Sequence, residues 1–317
     1  MTGALRYVYP EVSTRNFGDY VIDYAVRSIL GRHLPAPSAS CDTFTGSYPA
    51  GAYQCLLIPG ITHLTVGACP GLARIGALPY PTYCLSGNIW TAPPPRGVLL
   101  RSRVLHRHPL VDPDLSLARL MASPIGARDR STYNLLTRHG LPALYTGCAT
   151  LFLPPDEVAD DGYVLFSLGR GHVRTQTRLA HGLARRHHVV GIAHETDDLA
   201  LYHAAGWRLP LVTYQGDIQL YLSYFQRASL VVTGRLHGAL PALAYGKKVF
   251  LFGTRDSRTS ICDDLGLPIH DYADVPQAVE RASGAFNRRV LPFFQDNWLR
   301  LFEAIHTGVA TQGVRTP

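Results

Sequence analysis

Residues 229–253 read SLVVTGRLHGALPALAYGKKVFLFG, and their pattern decides the fold. Ser229 to Thr233 is apolar and β-branched and stops at Gly234, which predicts a short buried strand. Arg235-Leu236-His237 follows. A compact helix is then predicted, with Pro241 in its first turn and Gly246 just past its end. Val249 to Phe252 predicts the next parallel strand. In such a strand–loop–helix unit the loop lies at the carboxyl edge of the sheet, where open α/β sheets take ligands. Free N–H groups at the helix start favour an anion, Arg235 adds forked donors, and His237 adds a titratable imidazole. The competing reading is plain packing: an Arg and a His two residues apart also serve as a salt bridge and a helix-end group.

Working outward, strands and helices alternate on both sides. Tyr163 to Leu168, His188 to Ala193 and Pro210 to Tyr214 read as strands. A helix with a basic outer face running to about Arg186 lies between the first two. Thr196-Asp197-Asp198 reads as a helix start with Gly206 as its end. Ile218, Tyr221, Leu222 and Phe225 mark the helix before Ser229. Further on, helices are predicted over 258–265 and 275–282, and Phe294, Trp298, Leu301, Phe302 and Ile305 give a last amphipathic one.

The first half is thinner. Leu5 to Tyr9, Cys55 to Ile58, Tyr83 to Leu85 and Pro142 to Thr146 read as strands. Helices are expected from Asn16–Asp19 to Gly31, over 115–121, and from Asp129 or Ser131 to Gly140. Residues 35–51 read as loop, and 101–108 is rich in Arg and His without a clear period. The acidic, proline-bearing stretch from Leu153 to Gly162 is the best linker. It divides the chain into an α/β domain over 1–155 and another over 156–317, the final helix packing back on the first. Two Rossmann-like doubly wound domains facing across a cleft make a GT-B-like architecture.

Composition narrows the function. The 317 residues are 46% hydrophobic and 17% charged, with a net charge of +7, ordinary for a folded protein drawn to acidic ligands. No block of five or six consecutive basic residues and no nucleic-acid motif accompanies that charge. An anionic small substrate, an anionic glycan and a membrane surface contacted from outside all fit. Cysteines 41, 55, 69, 84, 148 and 262 form neither C-x-x-C nor a zinc pattern, so no metal site is expected and free thiols are. No secretory signal and no eighteen-residue apolar run is present, which predicts a cytoplasmic protein.

TGRLHGALPALAYGKKVFLFG resembles the C-terminal motif of the polysaccharide pyruvyl transferase family. So do Asn16-Phe17-Gly18-Asp19 ahead of a helix, Arg128-Asp129-Arg130 opening another, and Thr146-Gly147-Cys148-Ala149-Thr150. One departure is Pro59-Gly60-Ile61, where many members carry three glycines. The resemblance implies transfer of a pyruvyl group from phosphoenolpyruvate, as co-substrate and with no further cofactor, to a saccharide, giving a ketal and phosphate. On that reading His237 and Arg235 are catalytic. Ser167, Arg170, Arg235, Leu236, His237, Gly238, Arg255 and Arg258 would hold phosphoenolpyruvate, because a phosphate and a carboxylate together call for several cations. Asn16, Gly18, Asp19, His63 and Glu195 are candidates for the acceptor. Against this stand ordinary roles: capping by Asn16 or Asp19, and surface pairing of arginines with Asp256, Asp263 or Asp264. A nucleotide-sugar glycosyltransferase on the same scaffold and a non-catalytic binder of anionic glycans are the alternative functions.

Overall fold

The computed structural model describes residues 5–12, 14–42, 46–60, 70–89, 115–154, 158–169, 172–253, 255–282, 284 and 286–312. Arg170, His63 and the Arg- and His-rich stretch 101–108 lie outside the described residues.

The chain opens with β1 (Tyr7–Pro10), α1 (Phe17–His33), β2 (Ala39–Cys41), β3 (Cys55–Ile58) and β4 (Thr82–Cys84), the last preceded by a 3-10 segment, Pro70–Ala77. The four strands form a parallel sheet in the order β2-β1-β3-β4. β2 corrects the loop expected over 35–51. Ala39-Ser40-Cys41 has little strand propensity of its own and is recruited by the open edge of β1, the Ser38 N–H donating to Tyr7 O at 2.9 Å. α1 starts as expected, with Asn16 Oδ1 accepting from the Gly18 N–H at 3.1 Å, and buries Val21, Ile22, Ala25, Val26, Ile29 and Leu30. It overruns Gly31 by two residues. Gly31 faces open space and costs the helix little, and the end comes where the Leu34 N–H closes on Leu30 O at 2.7 Å.

Next come α2 (Ser116–Arg119), β5 (Ile125–Ala127), α3 (Arg130–Arg138) and β6 (Ala143–Tyr145). β5 and β6 pair in parallel, and β5 adjoins the first sheet, the Gly87 N–H donating to Gly126 O and the Arg128 N–H to Gly87 O. β5 was not predicted: three residues with a central glycine carry no strand pattern. The glycine is required by packing, since a Cβ at 126 would lie 2.0 Å from Leu85 O.

The second half holds β7 (Tyr163–Ser167), α4 (Val173–Leu183), β8 (Val189–Ile192), α5 (Asp198–Ala204), β9 (Leu211–Val212), α6 (Ile218–Arg227), β10 (Ala228–Thr233), α7 (Leu236–Ala244), β11 (Lys248–Phe252), α8 (Ser260–Leu265) and β12 (Ile269–His270). Its six strands are all parallel in the order β12-β11-β10-β7-β8-β9, with β7 and β10 central. Register sets Thr233 beside Ser167 and Ser167 beside Ile192, so the loops after β7, β8 and β10 emerge together. Asp198 departs from its expected part as a helix cap. Its carboxylate turns back to accept the N–H groups of His194 and Glu195 at 2.9 and 3.0 Å, tying down the loop after β8. α4 ends at Leu183, three residues before the expected Arg186. Short α9 (Ala278–Arg281) follows a 3-10 segment, Tyr272–Gln277, and α10 (Val290–Gln312) closes the chain.

α10 lies on β5 and β6. Phe294 meets the Tyr145 ring at 4.8 Å, and Asn297 Nδ2 donates to Tyr145 O at 2.9 Å. Farther along α10, Phe302 meets His33 of α1 at 5.1 Å. The turn Ala149–Phe152 packs against both α1 and α7. One buried apolar cluster therefore runs from Tyr7 and Leu57 through Leu151 to Leu165 and Val231, fixing the two sheets against each other. Among the described residues, no helix is long and apolar enough to cross a membrane.

Candidate active site

The carboxyl edge of the second sheet and the start of α1 enclose a cavity of about 460 Å³. Two backbone contacts bring these segments together: the Phe17 N–H donates to His194 O at 2.6 Å, and the Thr196 N–H to Arg15 O at 3.3 Å. Asn16 and Asp19 enter from one side, Arg235 and His237 from the other. Gly18 makes the approach possible, because a Cβ there would lie 3.1 Å from His237 Nδ1.

Arg235 is the N-cap of α7, and no side chain caps that helix. The Gly238 and Ala239 N–H groups both close on Arg235 O, which leaves those of Leu236 and His237 unspent within the helix. Pro241 sits in the second turn, not the first as expected. Lacking an N–H, it also leaves the His237 carbonyl without its intrahelical partner. Arg235 Nη1 donates to Glu195 Oε1 at 2.8 Å, and its Nη2 lies 3.7 Å from Asp198 Oδ2. Burial pulls the Arg235 pKa down, against the pull of Asp198, yet the group stays charged. His237 is half-buried. Burial first, then the nearby Arg128, His194 and two further arginines, hold its pKa well below the ordinary imidazole value. Its Nε2 is buried and has no hydrogen-bond partner among the described residues.

A polar chain lies behind them. The Arg235 N–H donates to Thr233 Oγ1 at 2.9 Å, Thr233 Oγ1 to Ser167 Oγ at 2.9 Å, and Ser167 Oγ meets His194 Nε2 at 2.6 Å. Tyr221 donates its hydroxyl hydrogen to Ala193 O, so its oxygen is left to accept from His194 Nδ1 at 3.3 Å. This arrangement suits a neutral imidazole, and burial together with Arg235 lowers the His194 pKa. Ser167 is thus fully buried and does not line the cavity, contrary to expectation; it reaches the site only through His194 and Thr233. Gly238 does not line it either. It packs so closely that a Cβ would lie 2.5 Å from Thr233 Oγ1 and 2.7 Å from Ser167 Oγ.

The other expected residues divide. Leu236, Glu195 and Arg258 line the cavity, Arg258 pairing with Asp256 at 2.5 Å. Arg255 does not; it is exposed and pairs with Asp263 at 2.7 Å, the ordinary surface reading. Asp19 accepts from Thr14 Oγ1 and Asn16 Nδ2, both at 3.0 Å. Burial raises its pKa to about 6, against the opposing pull of Thr14 and Arg128.

Sequence reasoning missed Arg128, His194, Gln176 and Tyr272 as lining residues. Arg128 is buried at the end of β5, and its Nη1 donates to Gly60 O at 3.1 Å. It makes no ion pair with a carboxylate among the described residues, unlike Arg235 and Arg258. Its neighbour Arg130 points elsewhere and pairs with Asp264. Arg128-Asp129-Arg130 sets two arginines about the cap of α3, but nothing local says which of them faces inward. Gln176 and Tyr202 hold the Gly169 backbone, the tyrosine hydroxyl donating to Gly169 O at 2.8 Å. Among the described residues no cluster of His, Cys, Asp and Glu could hold a metal ion, and the five described cysteines are free and buried.

No curated protein matches the chain. Among solved structures, the UDP-GlcNAc 2-epimerase of Methanocaldococcus jannaschii, in complex with UDP-GlcNAc and UDP, is 13% identical with a TM-score of 0.55. The match covers 98% of this chain and 100% of that one. The UDP-GlcNAc 2-epimerase of Neisseria meningitidis bound to UDP-GlcNAc is 11% identical with a TM-score of 0.58, covering 98% and 99%. At such identities the likeness establishes the fold, which is GT-B-like. Residues 114–257, the stretch that supplies Arg128, His194, Glu195, Arg235 and His237, match the polysaccharide pyruvyl transferase family.

Proposed function

We propose that the chain transfers a pyruvyl group from phosphoenolpyruvate to a saccharide, forming a ketal and releasing phosphate. The observation that carries this is the unpartnered Nε2 of His237 in one cavity with Arg128, Arg235 and Arg258. Arg128, which makes no direct ion pair among the described residues, and the open N–H groups of Leu236 and His237 would take the phosphate and carboxylate. Arg235, held by Glu195, fixes the turn that carries His237.

Its lowered pKa makes the resting His237 a proton acceptor rather than a donor. An entering anion reverses this, since negative charge favours the imidazolium. His237 can then protonate the methylene carbon of phosphoenolpyruvate, leaving C2 electrophilic. A saccharide hydroxyl attacks C2, its proton passing to a base; Asp19, which lines the cavity and is mostly ionised at neutral pH with a pKa of about 6, would serve. The C2–O bond to phosphate then breaks, with Arg128 holding the departing charge. A second hydroxyl closes the ketal and its proton leaves with phosphate. The two hydroxyl protons thus account for the new methyl hydrogen and for the hydrogen phosphate.

The test is saccharide-dependent release of phosphate from phosphoenolpyruvate by wild type and His237→Ala. Wild type should turn over and the variant should lose most activity while melting normally; full activity in the variant would reject the assignment. The shared fold of the UDP-GlcNAc 2-epimerases favours a nucleotide sugar as the second reading. Release of UDP from a UDP-sugar, with none of phosphate from phosphoenolpyruvate, would establish it instead.

A further inference from the structure

We infer that the outer face of α4, away from the cavity just described, is a second binding groove that takes an anionic saccharide chain. The groove lies between α4 and the 276–280 segment and encloses about 840 Å³. Arg174, Arg178 and His181 fall on one face of α4 at steps of four and three residues, and Arg185 and Arg186 continue the basic surface in the turn past the helix end. Glu280 is the carboxylate among the described lining residues.

The arginines here differ from those that form the molecule's ion pairs. Arg27, Arg130, Arg227, Arg255, Arg258 and Arg281 each meet a carboxylate, whereas none of Arg174, Arg178, Arg185 and Arg186 does so among the described residues. Arg185 and Arg186 are accounted for by the favourable end of the helix dipole. Arg174 is not, for it lies in the first turn where the dipole opposes a cation, and it repels Arg178 four residues on. An anion in the groove relieves both costs.

Shape selects the occupant. The groove runs along α4 for about 14 Å from Arg174 to Leu183, at about 1.5 Å per residue, with Arg185 and Arg186 beyond, which suits a thread more than a flat bilayer. Its upper end adjoins the cavity: Gly169 and Tyr272 line the cavity, Arg174 and Pro276 line the groove, and His172 packs on Tyr272 with ring centres 5.0 Å apart. A ketal of pyruvate carries one carboxylate, so a chain modified in the cavity becomes the acidic thread the groove would hold. The acidic nature of that chain rests on the pyruvyl-transfer reading; the groove itself does not.

The probe is fluorescently labelled oligogalacturonate, which carries one carboxylate per sugar, titrated against the full chain. Oligogalacturonate should bind about tenfold or more tighter than a neutral dextrin of equal length, and more weakly as salt rises. Arg178→Gln/Arg185→Gln/Arg186→Gln should lose about tenfold in affinity, three exposed ion pairs being removed, with its melting point within about 2 °C of wild type. Equal affinity in variant and wild type, or equal binding of the dextrin, would overturn the groove. Binding of phosphatidylglycerol vesicles without binding of oligogalacturonate would overturn it too, in favour of a membrane face. Wild-type turnover of phosphoenolpyruvate with a small neutral saccharide is measured apart. Its failure would remove pyruvyl transfer and leave the groove standing, whereas loss of the binding contrast does the reverse.

Discussion

Replacing Gly18 by Ala should separate activity from stability. Gly18 lies in the first turn of α1, and an added Cβ would meet Asn16 Oδ1 at 3.1 Å, His237 Nδ1 at 3.1 Å and His237 Cβ at 3.2 Å. Ordinary contact begins near 3.4 Å, so these side chains must give by a few tenths of an ångström. His237, whose buried Nε2 has no partner among the described residues, is the group displaced. Two terms of opposite sign then act on stability: alanine gains about 0.5–1 kcal/mol over glycine in a helix, and the overlap costs about 1 kcal/mol or more. The net change should stay within about 1 kcal/mol. Turnover has no such compensation. If a misplacement of about 1 Å costs about a hundredfold, a third to a half of that costs roughly 5- to 10-fold. Gly31→Ala supplies the control, because a Cβ there meets nothing within 4 Å; it should stabilise α1 by about 0.5–1 kcal/mol and leave turnover alone. The assays are thermal unfolding and steady-state phosphate release. Unaltered kcat/KM in Gly18→Ala would refute the claim that the start of α1 sets the position of His237.

Three other outcomes follow from the charges of the site. Glu195→Gln should cost about 2–3 kcal/mol in denaturant unfolding. It strands a mostly buried guanidinium, though Asp198 at 3.7 Å keeps the loss below that of a fully buried pair. Asp19→Asn should raise the melting point at pH 7.5 and change it little at pH 4. A folded pKa of about 6 against 3.8 means that the folded state binds more protons between those values, so ionised Asp19 costs up to about 3 kcal/mol above pH 6. Phosphate release should fall in the same variant; a lower melting point at pH 7.5 would contradict the sign. His194 and His237 act in the other direction. Both are held neutral when folded, so stability should be full above pH 6.5 and drop as pH falls below it, by up to about 1.4 kcal/mol per unit for each. A double His→Gln variant should flatten that slope in denaturant titrations between pH 6.5 and 5.

The central strands of the second sheet were legible because they are buried on both faces, whereas β12, a two-residue half-buried edge strand, was not predicted. Val231, Val232, Leu165, Phe166 and Val249 are continuous apolar runs bounded by glycines, and such runs announce themselves. β2 and β5 did not, since their residues are held by neighbours rather than by pattern: Ala39–Cys41 by the edge of β1, and Gly126 by its contact with Leu85. At the site, Arg235 and His237 could be read because a strand, a turn and a helix start are local features. Arg128 could not, because its inward direction depends on the Gly60 carbonyl, 68 residues away. Ser167 and Gly238 were misplaced for a related reason. Sequence puts a residue at the right edge of the sheet without saying whether it faces the opening or the layer behind, and here both face the layer that carries His194 and Thr233.

On the pyruvyl-transfer reading, the distribution of charge would link binding to proton transfer in a definite order. Arg235 and Arg258 already face carboxylates, so an arriving anion gains less from them than from Arg128, which faces a backbone carbonyl. That anion also enters the field that disfavours protonation of His237, in which Arg128 is the foremost charge. Neutralising Arg128 therefore does two things at once: it seats the ligand and raises the proton affinity of the neighbouring imidazole. On that reading the empty site would keep His237 mostly unprotonated, and loading would supply the acid. Such coupling requires the cation and the imidazole to come from different sheets that the buried cluster between them holds together. It also explains why Gly18, which bears no chemistry, stands where α1 meets α7.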